Sequence, residues 1–278
     1  MIQLSAFADE ISEDLFEQLD TLIGEQIRFL DLRSAWGTNV LDFTGQQVAQ
    51  IKQALDERQV KVATIASPIG KVAIDVPFAE YMPRFERALE LAQLFAAPFV
   101  RIFSFYPPAQ SGDQSDPTEW RDEVLYRLRA FTARARAAGI TLLHENEKAI
   151  YGDTIVRCVD LLETIDDPHF QLAFDPANFI QSGQTPYPDG YEALLPWLRY
   201  FHVKDARADG NVTVAGGGVA RWPEILQRAR NDGYSGFFSL EPHLALAGQF
   251  QGFSGPDQFR RASQTFQRLL QEMGWEYS

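Results

Sequence analysis

Residues 141–147 read Thr141-Leu142-Leu143-His144-Glu145-Asn146-Glu147, an apolar run that closes on two acids at alternate positions. Side chains alternate faces in a strand. Glu145 and Glu147 therefore share a face, or Glu147 already lies in the following loop. Gly152-Asp153-Thr154 then breaks the run and caps a helix. A buried strand that ends on carboxylates is costly unless something cationic meets them. Three later strands end in a similar way: Phe174-Asp175 before Pro176, His202 in Tyr200-Phe201-His202-Val203-Lys204-Asp205, and Glu241 in Phe237-Phe238-Ser239-Leu240-Glu241-Pro242-His243. The expectation is that these four ends meet.

Outward from that stretch, the chain alternates strands and helices in eight units. Strand segments are expected at 2–8, 29–33, 61–66, 99–105, 141–147, 171–174, 199–203 and 236–240. The intervening segments carry apolar residues at helical spacing, such as Leu15, Leu19 and Leu22, or Val48, Ile51 and Leu55. Ser12 and Thr44 are expected caps. Pro83 is expected in the first turn of the third helix, Pro117 after Ser115-Asp116 in the first turn of the fourth, and Pro256 at the opening of the last. Eight such units in a chain of this length predict an α/β protein, a (β/α)8 TIM barrel forming a single domain over 1–278. A doubly wound open sheet is the structural competitor, weakened because no Gly-x-Gly-x-x-Gly follows the first strand.

Composition narrows the function. The chain has 278 residues, 45% of them hydrophobic, and a formal net charge of −13. An acidic surface repels phosphate backbones and anionic lipid, so neither nucleic acid nor membrane is an expected partner. A single cysteine, Cys158, excludes an internal disulfide framework and fits a reducing compartment. The start, Met1 to Glu10, reads as a first strand rather than a signal peptide, and a cytoplasmic location is expected.

Three carboxylates and an imidazole without a thiolate suit one divalent cation. Mn2+ or Mg2+ fits best, and Co2+, Zn2+ or Fe2+ are compatible. Without such an ion, three close acids repel one another. Each residue alone has a plainer reading: Asp175 as a helix cap, His202 as a hydrogen-bonded core residue. The joint pattern, one ligand type at the same end of each strand, is what favours a metal.

The runs His144-Glu145-Asn146-Glu147, Phe174-Asp175-Pro176-Ala177-Asn178-Phe179, Phe201-His202-Val203-Lys204-Asp205 and Gly233 to His243 together resemble the xylose isomerase-like sugar isomerase/epimerase superfamily. Gly216-Gly217-Gly218 and Trp222 fit it too. The resemblance implies one divalent metal held by Glu145, Asp175, His202 and Glu241. It also implies that Glu145 and Glu241 act as acid and base on opposite faces of a sugar, through a cis-enediolate held by the metal. Its substrate would be a small sugar, and homo-oligomers are expected.

The ketose 3-epimerase branch has a histidine where this chain has Asn178, and a second glutamate where it has Tyr151. The hydride-shift isomerases need a second metal and a catalytic lysine; Lys204 lies near the mouth, but the full set is not found. Further candidates for substrate contact are Asn178, Arg207, His243, Glu147, Lys71 and Phe7. Glu147 and Lys148 have a pairing role as the alternative, and Trp36 and Phe105 are either apolar walls or core. The leading expectation is a metal-dependent isomerase or epimerase of a sugar or sugar derivative. The runner-up is a keto-inositol or 3-keto-glycoside dehydratase or lyase on the same site. An abasic-site endonuclease would want more than four histidines and a basic face. A sugar-binding protein on a retired barrel is the non-enzyme alternative.

Overall fold

In the structure, a computed structural model, residues 1–110, 116–244 and 253–278 are described. Eight strands pair in parallel and close on themselves: β1 (Gln3–Ala6), β2 (Phe29–Leu32), β3 (Lys61–Ile65), β4 (Phe99–Ile102), β5 (Thr141–Glu145), β6 (Phe170–Phe174), β7 (Leu198–Val203) and β8 (Phe237–Leu240). Each strand is flanked by its neighbours in sequence, and β8 returns to β1 with Gln3 opposite Phe237 and Ala6 opposite Leu240. The helices α1 (Leu15–Gly24), α2 (Gly45–Arg58), α3 (Phe78–Leu94), α4 (Arg121–Ala137), α5 (Ile155–Ile165), α6 (Pro176–Gln181), α7 (Tyr191–Leu194), α8 (Trp222–Asn231) and α9 (Pro256–Glu272) follow in order. This is a single (β/α)8 TIM barrel.

The two faces of the strands do different work. Ala63, Phe99, Leu143, Ala173, Tyr200 and Phe237 form one buried cluster, with Phe29 packed against it. Each comes from a different strand, so these residues plug the interior of the barrel. Alternate residues such as Leu142, Leu172, Phe201 and Phe238 belong to a separate, larger cluster shared with the helices. Two positions beyond the plug, the period of two turns the same face toward the C-terminal mouth. Six of those seven positions are polar and buried, Asp31, Arg101, Glu145, Asp175, His202 and Ser239, and the seventh, after Ala63, is Ile65. The fold therefore aims a polar layer at one end of an apolar plug.

Local signals explain most helix starts. Thr44 and Gln47 form a reciprocal capping box on α2. Thr154 caps α5, and Asp116 caps a short 3-10 turn (Pro117–Trp120) that runs into α4; Ser115 lies outside the described residues. Two expectations are corrected. The cap of α1 is Asp14, whose side chain accepts from Phe16 N and Glu17 N, while Ser12 Oγ accepts from Asp14 N. Pro83 is inside α3 rather than in its first turn, because Pro77 already sits at the N-cap and the helix begins at Phe78.

The fourth strand is also shorter than expected and stops at Ile102. Phe103 N and Tyr106 N turn away to Ile69 O and Val72 O in the loop after β3, and Phe105 has φ +66°. Phe105 is core, packed near Tyr81 and Phe131. Trp36 packs toward Phe16 of α1 in a small hairpin, Ser34–Ala35 with Thr38–Asn39, that periodicity did not reveal.

The loop after β7 is organised by one carboxylate. Asp205 accepts from the backbone N–H of Ala206, Gly216, Gly218 and Ala220 at 2.8–3.1 Å. Gly218 lies so close that a Cβ there would sit 2.2 Å from Ala206 O. Asp205→Ala strands several of these donors at once. It is expected to lower stability by on the order of 2–3 kcal/mol, read from urea unfolding; a change within error would show that water replaces the carboxylate. Cys158 is fully buried, and burial pushes its thiol far above the ordinary range. The native protein is expected to be inert to a thiol-reactive disulfide and to react only on unfolding, which a colorimetric thiol assay with and without denaturant checks.

Candidate functional site

Glu145 closes β5, Asp175 follows β6, His202 lies within β7 and Glu241 follows β8. All four are buried, and one ligand atom from each lies within 4.8 Å of all the others. The four strand ends therefore meet at one point. Glu147 lies beyond the strand, in the loop.

Three atoms at that point lack ordinary partners. His202 Nδ1 is 3.3 Å from both Glu145 Oε1 and Glu241 Oε2, yet it makes no hydrogen bond among the described residues. Among the described residues, Asp175 Oδ2 and Glu241 Oε2 are likewise buried without one. Lys204 Nζ approaches Asp175 Oδ2 to 2.7 Å and Glu241 Oε2 to 3.7 Å, ion-pair distances that lack hydrogen-bond geometry. Buried polar atoms are rarely left this way. A single cation among them would satisfy all three, so the residues present fit a divalent metal.

The surrounding hydrogen bonds hold the other lone pairs. Asp175 Oδ1 caps α6 by accepting from Asn178 N at 2.9 Å, which leaves Oδ2 for the site. The cap reading and the ligand reading of Asp175 each take one oxygen. Asn146 exchanges two bonds with the Asp175 backbone, Nδ2 to O at 2.8 Å and N to Oδ1 at 2.9 Å, and so ties the ends of β5 and β6 together. Asn178 Nδ2 donates to Glu145 Oε1 at 3.1 Å and to Asn146 O at 2.9 Å. Arg101 donates to Glu145 Oε2 at 3.1 Å and to Ala66 O at 3.1 Å. Glu241 Oε1 accepts from Arg33, itself 2.7 Å from Asp9.

Burial and these charges pull against each other. Burial pushes the Glu145 carboxyl up, but His202 and Arg101 more than offset it and bring it to about 2. Glu241 is also pushed up by burial, and Lys204 and His243 carry it well below the carboxylate range. For Asp175 burial wins over Lys204, and its carboxyl rises to about 6. Burial works against a charged His202, but Glu145 and Glu241 raise it to about 10. Without a divalent ion the cluster is held by protonated groups. That is the expected state of a site built for more positive charge than the chain itself supplies.

The remaining candidates are spread between mouth and surface. His243 has φ +48° and sets Nε2 3.3 Å from Glu241 Oε1 and 3.3 Å from Glu10 Oε1. Lys71 pairs with Glu147 at 2.8 Å, joining the loops after β3 and β5, while Lys148 N donates to Glu147. Phe7 is fully buried, packs edge-on to His202 at 5.1 Å, and has Arg33 and Arg101 each 4.9 Å from its ring centre. Arg207 is exposed in the turn between Asp205–Ala206 and Val212–Thr213. Tyr151 turns outward and donates to Asp160 of α5. Trp222 Nε1 donates to Lys204 O, which fixes the backbone beneath the lysine.

Sequence reasoning missed Arg101, Asp31 and Glu10. Arg101 and Asp31 carry a legible signal, since each stands two residues after a plug position. Asp31 lies deeper, where it accepts from Tyr200 and Ser239. Glu10 is buried in a short 3-10 turn without period, and only the structure brings it to a second cluster, with His243 and the shared Glu241.

Comparison with known proteins places the fold. No curated protein matches the chain. Among solved structures, the probable 3-DHS dehydratase AsbF from Bacillus anthracis superposes with a TM-score of 0.75 at 18% identity, over 96% of this chain and 99% of that one. A xylose isomerase-like TIM barrel protein from Mycobacterium smegmatis, in complex with magnesium, gives 0.73 at 18% identity, over 98% and 97%. The 3-keto-D-glucoside 4-epimerase YcjR from E. coli gives 0.71 at 16% identity, over 96% and 99%. At these identities the likeness is one of fold. The family model described as xylose isomerase-like TIM barrel matches residues 26–269, most of the chain. The chain therefore belongs to the xylose isomerase-like TIM barrel family.

Proposed function

We propose that the protein is a divalent-metal-dependent enzyme that isomerises or epimerises a small sugar or sugar derivative by proton transfer. The observation that carries this reading is the convergence of Glu145, Asp175, His202 and Glu241, with three of their buried atoms lacking hydrogen bonds among the described residues. Those four side chains would hold the ion, with Mn2+ the first choice because three of the four ligands are carboxylates. A bound cation would supply Lewis-acid polarisation of a carbonyl and stabilise the charge that develops when the neighbouring C–H is lost.

The chain's own groups account for the proton. Glu145 and Glu241 approach His202 Nδ1 from two different strands, one oxygen each at 3.3 Å. That leaves Glu145 Oε2 beside Arg101, and Glu241 Oε1 beside Arg33 and His243. Two carboxylates reaching in from separate strands can remove a proton on one side of a flat intermediate and return one on the other. Their shared low carboxyl range makes them weak bases, and geometry must compensate by holding the C–H close. Asn178 orients Glu145, and His243 orients Glu241. Lys71, Glu147, Arg207 and Phe7 complete the proposed substrate contacts around the mouth.

A second reading keeps the site and changes the outcome. The chain lacks two side chains of the ketose 3-epimerase branch, at Asn178 and Tyr151, and one solved structure of like fold is described as a probable dehydratase. The same proton abstraction next to a carbonyl would then expel a leaving group from the adjacent carbon. One experiment separates the two. Mn2+-loaded protein in D2O is offered a panel of ketoses, inososes and 3-keto-glycosides, with products read by mass. Incorporation of one deuterium without loss of mass is expected for epimerisation. Loss of water or an aglycone assigns the lyase, and no change with any substrate overturns both.

A further inference from the structure

Beneath the ligand cluster lie two buried cations that the proposed reaction has not yet used. Arg101 and Lys204 are both nearly inaccessible, and each sits against the carboxylates from a different strand, β4 and β7. They stand against three acids: Glu145, Asp175 and Glu241. Arg33 also reaches Glu241 but brings its own acid, Asp9, so that pair leaves the count unchanged, and Glu10 and His243 meet at the edge of the cluster, where His243 touches Glu241 as well. Three carboxylates against two fixed cations leave one negative charge. A divalent ion, bound with His202 neutral as a ligand must be, converts that deficit into one surplus positive charge.

A buried surplus charge is expensive unless something answers it. A second observation points the same way. Arg101 spends its two terminal nitrogens on Glu145 and Ala66, while its Nε–H is buried with no acceptor among the described residues. Guanidinium and ammonium groups freed from full pairing by the ion would be donors waiting for an oxyanion.

We infer that Arg101 and Lys204 form an anion-stabilising pair, so that the metal-loaded site takes a monoanionic polyol in preference to a neutral one. The inference rests on the proposed function. The anion has two possible sources with one chemistry: a carboxylate carried by the substrate, or the enediolate formed during turnover.

The test uses full-length protein and reads binding rather than turnover. Mn2+ affinity is measured first, by electron paramagnetic resonance, for the wild type and for Arg101→Met, Lys204→Met, Arg101→Lys and Lys204→Arg. Failure of the wild type to bind Mn2+ removes the proposed function and this inference with it. With Mn2+ bound, three ligands of equal chain length are titrated by calorimetry: an alditol, an aldonate and an aldonohydroxamate. The wild type is expected to favour at least one anion over the alditol by ten-fold or more. That preference is expected to collapse toward unity in either methionine variant that still binds Mn2+, and to survive in the lysine and arginine exchanges. An aldonate preference assigns a substrate carboxylate, and a hydroxamate preference assigns the enediolate. A preference that persists in both methionine variants reflects chelation by the ion alone and overturns the inference. Equal binding of all three ligands by the wild type overturns it while leaving the metal site intact.

Discussion

Glu241→Gln, loaded to saturation with Mn2+, is expected to lose on the order of a thousand-fold in deuterium exchange into substrate, with Glu145→Gln close behind. The amide keeps the volume and one acceptor oxygen but cannot hold a proton in transit. Glu241 carries the heavier expectation because more converges on it. Its two oxygens lie near Arg33 and His243 on one side and near His202 and Lys204 on the other. Losing the carboxylate takes the shared counter-charge from Arg33 and Lys204 and an acceptor from both imidazoles. Bound Mn2+ must be measured alongside rate, so that a lost ion is not mistaken for a lost base. Equal exchange rates in the wild type and both variants, with the ion in place, would remove these residues from the chemistry. His243→Ala should cost less, since in the proposed mechanism it orients Glu241 and carries no proton itself.

Added Mn2+ should also raise thermal stability. The proposed ion would bind the native cluster and would have no comparable site in the unfolded chain. At about one hundred times its Kd it should contribute about 2.7 kcal/mol, which raises the Tm of a chain this size by several degrees. The metal-free protein should still fold, because Arg101, Lys204 and a protonated His202 already oppose the three acids. Asp175→Asn and His202→Ala are expected to abolish the Mn2+-dependent shift. The probe is differential scanning fluorimetry with and without a chelator. A shift of equal size in both variants would place the ion elsewhere.

Much of this was legible in the sequence because barrel geometry is periodic. Once eight strand–helix units are counted, residues at equivalent strand ends must share a mouth, and Glu145, Asp175, His202 and Glu241 follow. Arg101 was legible in principle. Phe99 plugs the barrel, and two residues further the same face reaches the site. A lone cation inside an apolar run has no periodic partner in the sequence to mark it as part of a site. Glu10 was not legible. It sits in an aperiodic turn, and its partners His243 and Ser254 are distant in sequence. The Lys71–Glu147 pair is of the same kind. Pro83 misled because proline marks a first turn only when nothing upstream has already started the helix.

The account rests on a single ion at the convergence of four strand ends. Crystals grown with Mn2+ and measured at its absorption edge test this directly. The account predicts one anomalous peak bonded to Glu145, Asp175, His202 and Glu241 together. A peak bonded to fewer than three of them, or no peak in protein that is saturated with Mn2+ in the drop, would contradict it.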